Sequence, residues 1–196
     1  GTWGWDNSLT KEYIFARCRQ WLDTHLGPDH GVGLGVTEMG IQGSHPDVTA
    51  VWYASTLGVF AEEGVELFTP WSWKVGMWEV LHLFGRYHQA GRVQATSSQE
   101  TQVSAYASVD PNDEAMTVIL VNRSLTSNMP AHVTLANFPL TGSESQTLTL
   151  SGLPTSETFR SHADNALKQG TVCVTDGQMD LTLPPLSVVA VLLWNP

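Results

Sequence analysis

Near residue 95 the chain changes its grammar, and that change constrains the fold more than any other feature. Before it, helix-period segments alternate with short apolar runs; after it, only strands and turns follow. The first helix is predicted over residues 7–26, capped by Asn7 or Ser8, with Tyr13, Ile14, Arg17, Trp21 and Leu22 at helical spacing and Gly27-Pro28 as the stop. Val32-Gly33-Leu34-Gly35-Val36 is nearly all apolar and of strand length, which predicts a strand buried on both faces. A helix over 46–62, a strand over 65–69 closed by Pro70, and a helix over 77–89 complete this half. Helix, strand, helix, strand, helix is the order of a βα-barrel or a doubly wound sheet.

Beyond Thr96-Ser97-Ser98, strands are predicted over 103–109, 116–122, 132–135, 146–150, 157–160, 179–183 and 187–194, separated by Gly, Pro and Asn turns. Regular short strands of this kind predict an antiparallel β-sandwich. The expected domains are therefore residues 1–95 and 96–196. Two strands and three helices cannot close an eight-stranded barrel of about 250 residues. Residues 1–95 are thus read as the C-terminal segment of a (β/α)8 TIM barrel that begins in mid-fold. Alone, such a segment is expected to self-associate or to need the missing N-terminal barrel segment.

Composition excludes several functions. A net charge of −10 with only nine Lys and Arg argues against nucleic acid as a partner. No apolar run approaches the roughly 18 residues of a membrane helix, and the N-terminus lacks the basic-then-apolar order of a signal peptide. Cys18 and Cys173 complete no metal-ligand spacing and are expected as buried thiols. Neither a nucleophile elbow nor a phosphate-binding glycine loop is present: Gly31, Gly33 and Gly35 run into a strand instead of opening a helix. No cofactor is expected. Asp110, Asn112 and Asp113 fit a hairpin turn better than a calcium loop.

The chemistry concentrates where barrel strands end. Residues 33–36 lead into Thr37-Glu38-Met39-Gly40, which places a carboxylate at the C-terminal tip of a strand, the end that faces the active site in βα-barrels. A Glu there can be the nucleophile of a retaining glycosidase, or it can simply cap the following turn. The next strand ends in Phe68-Thr69-Pro70-Trp71-Ser72-Trp73, and Trp3 and Trp5 open the chain. Indole planes at strand tips can floor a sugar subsite, because pyranose rings present apolar C–H faces. Trp71, Trp73, Trp3 and Trp5 are the candidates for that role, whereas Trp21, Trp52 and Trp78, inside helices, are expected in the core. His45, in the loop after Glu38, is a weaker substrate-contacting candidate beside the ordinary reading of a solvated loop histidine.

Val36-Thr37-Glu38, the helix end Leu57-Gly58-Val59-Phe60-Ala61-Glu62-Glu63-Gly64-Val65 and the Trp-bearing strand end together resemble the nucleophile region of family 44 glycoside hydrolases, a clan A barrel family. Val103 to Asp110, Met116 to Arg123 and the closing Leu183-Pro184-Pro185-Leu186-Ser187-Val188-Val189-Ala190-Val191-Leu192 are similar to that family's C-terminal sandwich, and arabinofuranosidase and xylosidase families end in much the same way. The resemblance implies a secreted, retaining endo-β-1,4-glucanase acting on β-glucan polysaccharide, with Glu38 as nucleophile, Trp71 and Trp73 lining the cleft, and Trp3 or Trp5 on the glycone side. The family follows its nucleophile with Tyr and Asn, where this chain has Met39 and Gly40. Its acid/base is a Glu after an Asn on an upstream strand, so this chain is expected to carry half of the two-carboxylate site. The alternative is a non-catalytic carbohydrate-binding or structural β-sandwich module.

Overall fold

The computed structural model describes residues 13–43, 45–71, 73–138, 140, 144–156 and 166–195. The chain forms two compact units, one of Gly1–Gly40 with Gly58–Trp71 and one of Ile41–Leu57 with Ser72–Pro196. The mixed helix and strand content expected of the first half is present, and the sheets of the second half are antiparallel throughout.

In the first unit, helix α1 (Tyr13–Leu26) lies beside strands β1 (Leu34–Met39) and β2 (Val65–Pro70), which pair in parallel with Leu34 opposite Val65 and Val36 opposite Phe68. Parallel neighbours need a crossover, and the chain between them contains helix α2 (Pro46–Glu62). Three rings link the layers: Phe15 of α1 meets Phe60 edge-on at 5.5 Å, and Phe60 meets Phe68 at 5.4 Å. Arg19 of α1 adds a charged tie, donating to both the carbonyl and the carboxylate of Glu63.

Two expectations for this unit are corrected. The apolar run at 32–36 does not make a doubly buried strand. The strand starts at Leu34, and no residue of β1 or β2 is fully buried. Leu34, Val36, Met39 and Phe68 are half-buried, whereas Gly35, Thr37 and Leu67 are exposed, Leu67 to 55%. Trp21 is not a core residue but 53% exposed. At 3.6 residues per turn it lies about 120° round α1 from Phe15, off the arc that Phe15, Cys18 and Leu22 share.

The second unit contains the first part of α2, helix α3 (Met77–Tyr87) and the strands β3 (Gly91–Val93), β4 (Val103–Val109), β5 (Ala115–Asn122), β6 (Met129–Thr134), β7 (Glu144–Leu150), β8 (Lys168–Cys173), β9 (Gln178–Leu183) and β10 (Ser187–Trp194). Six of them form a sheet in the order β3-β4-β5-β10-β7-β8, and β6 pairs with β9. The apolar cluster draws on both sheets: Met116, Val118, Leu120, Val189, Val191 and Leu193 from one, Met179 and Leu183 from the other. The opposite face of the large sheet is also covered, with Ile119, Val121, Val188 and Ala190 fully buried. The Tyr106 hydroxyl donates to Ser55 O of α2 (3.3 Å), Thr117 Oγ1 to Tyr87 O at the end of α3 (2.5 Å), and Gln89 N to Ser108 Oγ (2.9 Å). Covered on both faces, β5 reads as an unbroken apolar run and not as an alternation.

Asn122 is fully buried at the end of β5. Its Nδ2 donates to Ser127 O, Leu183 O and Pro184 O, while its Oδ1 accepts from Ser124 N. One amide thereby ties the start of the β5–β6 connection to the β9–β10 turn, and its desolvation is offset by hydrogen bonds on both sides.

Strands β3 and β8 are not evident in the sequence. The first has three residues; the second is a polar edge strand, Lys168-Gln169-Gly170-Thr171, whose pairing with β7 supplies the order its composition does not. The strand expected over 157–160 lies outside the described residues. The expectation of two buried thiols is corrected: both cysteines are free, Cys18 is half-buried, and Cys173 is exposed at the end of β8.

The β4–β5 turn is built on Asp110. Its carboxylate accepts from Asn112 N (3.3 Å), Glu114 N (2.7 Å) and Ala115 N (2.8 Å), with Asp113 at φ 58°. These amides, Ala115 N first, hold the Asp110 pKa below the ordinary carboxylate range. A lowered folded-state pKa gives stability that is present above the unfolded value, roughly pH 4, and is lost as pH falls through the folded value. Asp110→Ala is therefore expected to lower the thermal midpoint at neutral pH and to leave it nearer wild type at the acid end. Parallel thermal melts across pH 2–7 check this.

Candidate active site

The parallel pairing of β1 and β2 brings their C-terminal ends to the same edge, with Met39 opposite Pro70. Up to Val36 the burial alternates, as a strand with one covered face should. Between Val36 and Met39 the register slips, and Thr37 and Glu38 are both exposed. A slip of this kind re-aims a side chain. Glu38 is thereby directed away from the half-buried side on which strict alternation from Leu34 and Val36 would put it. It is a residue of the strand itself, one before its last, at the C-terminal tip where the sequence placed it.

Two hydrogen bonds fix this strand tip. Thr69 Oγ1 donates to Thr37 O, immediately before Glu38, and Trp71 N donates to Met39 O (3.1 Å), immediately after it. The backbone on both sides of Glu38 is thus tied to β2, while Trp71 is anchored through its amide with its indole 68% exposed. Of the sequence-derived candidates, the fold brings together these two, a carboxylate and an indole at one end of a parallel pair. Two other acids of the unit have basic partners: Glu63 is paired with Arg19, and Asp23 lies 3.5 Å from His30 Nε2.

Trp73 and His45 belong to the second unit. His45 is exposed and flanks the start of α2, where its carbonyl accepts from Thr49 N (2.9 Å) and its Nδ1 from Asp47 N (3.3 Å). Trp73 stacks on Trp78 with centroids 4.1 Å apart and planes 22° from parallel. The sequence assigned Trp78 to the core; it is instead 40% exposed on the first turn of α3. Helical periodicity marked it as apolar, but the residues of α3 that pack inward are Met77, Val80 and Leu83. Trp52 is half-buried against Tyr53. Trp3 and Trp5 lie outside the described residues.

A cavity of about 550 Å³ opens in the second unit, between Ala105, Met116 and Val118 on one sheet and Met129, Ala131 and Val133 on β6. Its lining contains no Asp or Glu, so it holds no carboxylate that could act as Glu38 does; His132 of β6 is among its polar side chains. Among the described residues, no cluster of three or more His, Cys, Asp or Glu is arranged to hold a metal ion. No helix among the described residues is long and apolar enough to cross a membrane.

No family model matches the sequence, and no curated protein matches it. Solved structures do. CelM2, a bifunctional glucanase-xylanase from a metagenome library, superposes with a TM-score of 0.79 at 23% identity, over 98% of this chain and 37% of its own. The family 44 xyloglucanase of Paenibacillus polymyxa, solved with xyloglucan, gives 0.78 at 18% identity, over 96% of this chain and 37% of its own. The family 51 α-L-arabinofuranosidase of Thermotoga petrophila gives 0.71 at 11% identity, over 92% and 47%. The chain spans about 37–47% of the length of these three structures. Over nearly all of its residues, then, this chain has the fold of a portion of the family 44 glycoside hydrolases.

Proposed function

We propose that these residues are the C-terminal part of a secreted, retaining β-glycoside hydrolase of the family 44 kind, with residues 1–95 closing a (β/α)8 barrel and 96–196 forming a β-sandwich beside it. The observation that carries this reading is the strand tip, where Glu38 is exposed between two backbone anchors and Trp71 is held beside it through Met39 O. The bare Leu67 side of β1 and β2 supports it as well, since parallel strands are normally covered on both faces. Further barrel strands and their side chains would cover that side.

In this mechanism a Glu38 oxygen attacks the anomeric carbon as the bond to the leaving oxygen breaks, forming a covalent glycosyl ester. A carboxylic acid about 5–5.5 Å away protonates the leaving group and afterwards deprotonates the water that cleaves the ester, so configuration is retained. That second carboxyl group comes from the portion of the fold these residues do not span. Trp71 stacks on a sugar ring next to the cleaved bond; Trp73 and His45 are sugar-contacting candidates of the second unit, taken by itself. The substrate is a β-1,4-glucan of the cellulose or xyloglucan type, in line with the glucanase-xylanase and xyloglucanase that share the fold.

The test is to trap the ester in the full-length protein. A 2-deoxy-2-fluoro-β-cellobioside with a good leaving group slows hydrolysis of the intermediate, and peptide mass mapping should find the adduct on Glu38. An adduct on a different carboxylate, in an enzyme that hydrolyses β-glucan, would refute the assignment.

A further inference from the structure

We infer that Trp73 and Trp78 form one rigid aromatic platform for a β-linked pyranose, in which Trp73 contacts the sugar and Trp78 is a positioning residue that sets its ring plane. This rests on the carbohydrate reading above and extends it to a residue that the sequence placed in the core. The indoles stack at 4.1 Å and 22°, yet both remain largely in water, at 59% and 40% exposure. Stacking in this way covers one face of each ring and leaves the outer face free. A free, flat, apolar face with an N–H at its edge suits the C–H face and hydroxyl rim of an all-equatorial pyranose.

The connection between the two rings is held at Lys74, Gly76 and Met77. Lys74 Nζ donates to Ile41 O, and Lys74 O accepts from Met77 N (3.2 Å) and Trp78 N (3.4 Å). Gly76 N donates to the buried Glu79 carboxylate (2.6 Å). Gly76 itself, at φ 92°, lies so close to α2 that a Cβ would fall 2.2 Å from Pro46 O. Trp73 therefore emerges from a fixed turn, and Trp78, on the first turn of α3, is the surface it stacks against. Removing Trp78 releases the Trp73 ring to sample other rotamers, so ordering it again on binding weakens affinity.

The experiment measures cellohexaose binding by calorimetry in full-length Glu38→Gln protein, which retains the ligand uncleaved, together with far-UV circular dichroism. The stacked pair should give an exciton couplet that disappears in both Trp73→Ala and Trp78→Ala. Trp73→Ala is expected to weaken binding about 10-fold or more, Trp78→Ala about 2- to 10-fold, and Trp78→Phe should recover most of that loss because a ring is restored. Wild-type affinity in Trp78→Ala alongside weakened Trp73→Ala would remove Trp78 from the platform. If neither substitution matters but Trp71→Ala weakens binding, the pair is not a sugar surface, while the hydrolase reading stands. Failure of that reading shows separately, as no trapped ester on Glu38. Trp78→Phe, which keeps a packed ring, also excludes misfolding as the cause.

Discussion

Glu38→Gln in the full-length protein is expected to lower hydrolysis of a soluble β-1,4-glucan by on the order of 1,000-fold or more, since the group that forms the covalent bond is removed. The substitution preserves shape and exchanges a nucleophilic oxygen for an amide nitrogen. Because Glu38 is exposed, stability should change by no more than about 0.5 kcal/mol, so lost activity cannot be mistaken for lost fold. Reducing-sugar release and a thermal melt on the same preparation separate the two. A companion Glu38→Ala variant given an activated glucoside and sodium azide should form a glycosyl azide of inverted configuration, the small anion taking the place of the missing carboxylate. Near-wild-type hydrolysis by Glu38→Gln would remove Glu38 from the chemistry.

The largest effect on stability is expected at Gly76. Its φ of 92° is a conformation that L side chains rarely adopt, and a Cβ there would meet Pro46 O at 2.2 Å, Ala50 N at 2.9 Å and Thr49 Cβ at 2.9 Å. Two of these are backbone atoms at the start of α2, with no side-chain freedom to yield. Backbone strain alone costs about 1–3 kcal/mol, and the overlap adds to it, so Gly76→Ala should destabilise by about 3 kcal/mol or more. For a chain of this size that is a fall of roughly 6–12 °C in thermal midpoint. Gly85, exposed in the same helix with nothing within 4 Å of its Cβ position, is the natural comparison. Gly85→Ala should leave stability unchanged or raise it by up to about 1 kcal/mol, because alanine reduces the freedom of the unfolded chain. Opposite signs for the two glycines in urea or thermal melts confirm the close approach of α3 to the start of α2; equal effects would contradict it.

Much of the element order was legible because the responsible signals are local. Residues 116–122 and 187–194 show long apolar runs bounded by turn residues, and they form β5 and β10, the central pair of the large sheet. Pro46 marks the first residue of α2, and Met77 that of α3. The Asp110 turn was legible for the same reason, as its hydrogen bonds reach only five residues along the chain. Edge strands were not, since β8 is polar and is held by β7. Of the candidate site, the carboxylate and the tryptophans could be named as residue types at strand ends, but the slip after Val36 that turns Glu38 outward arises from pairing with β2.

The amino-acid order by itself determined which segments become helix or strand and which side chains carry usable chemistry, through spacing, capping and turn preferences that act over a few residues. Only the tertiary structure decided which surfaces are covered. It left Leu67 and Trp21 in water, stacked Trp78 on Trp73 instead of burying it, and used Asn122 to join turns some 60 residues apart in sequence. The physical reason is that burial and stacking belong to pairs of surfaces, and a residue's own neighbours in sequence do not specify what the fold will bring against it.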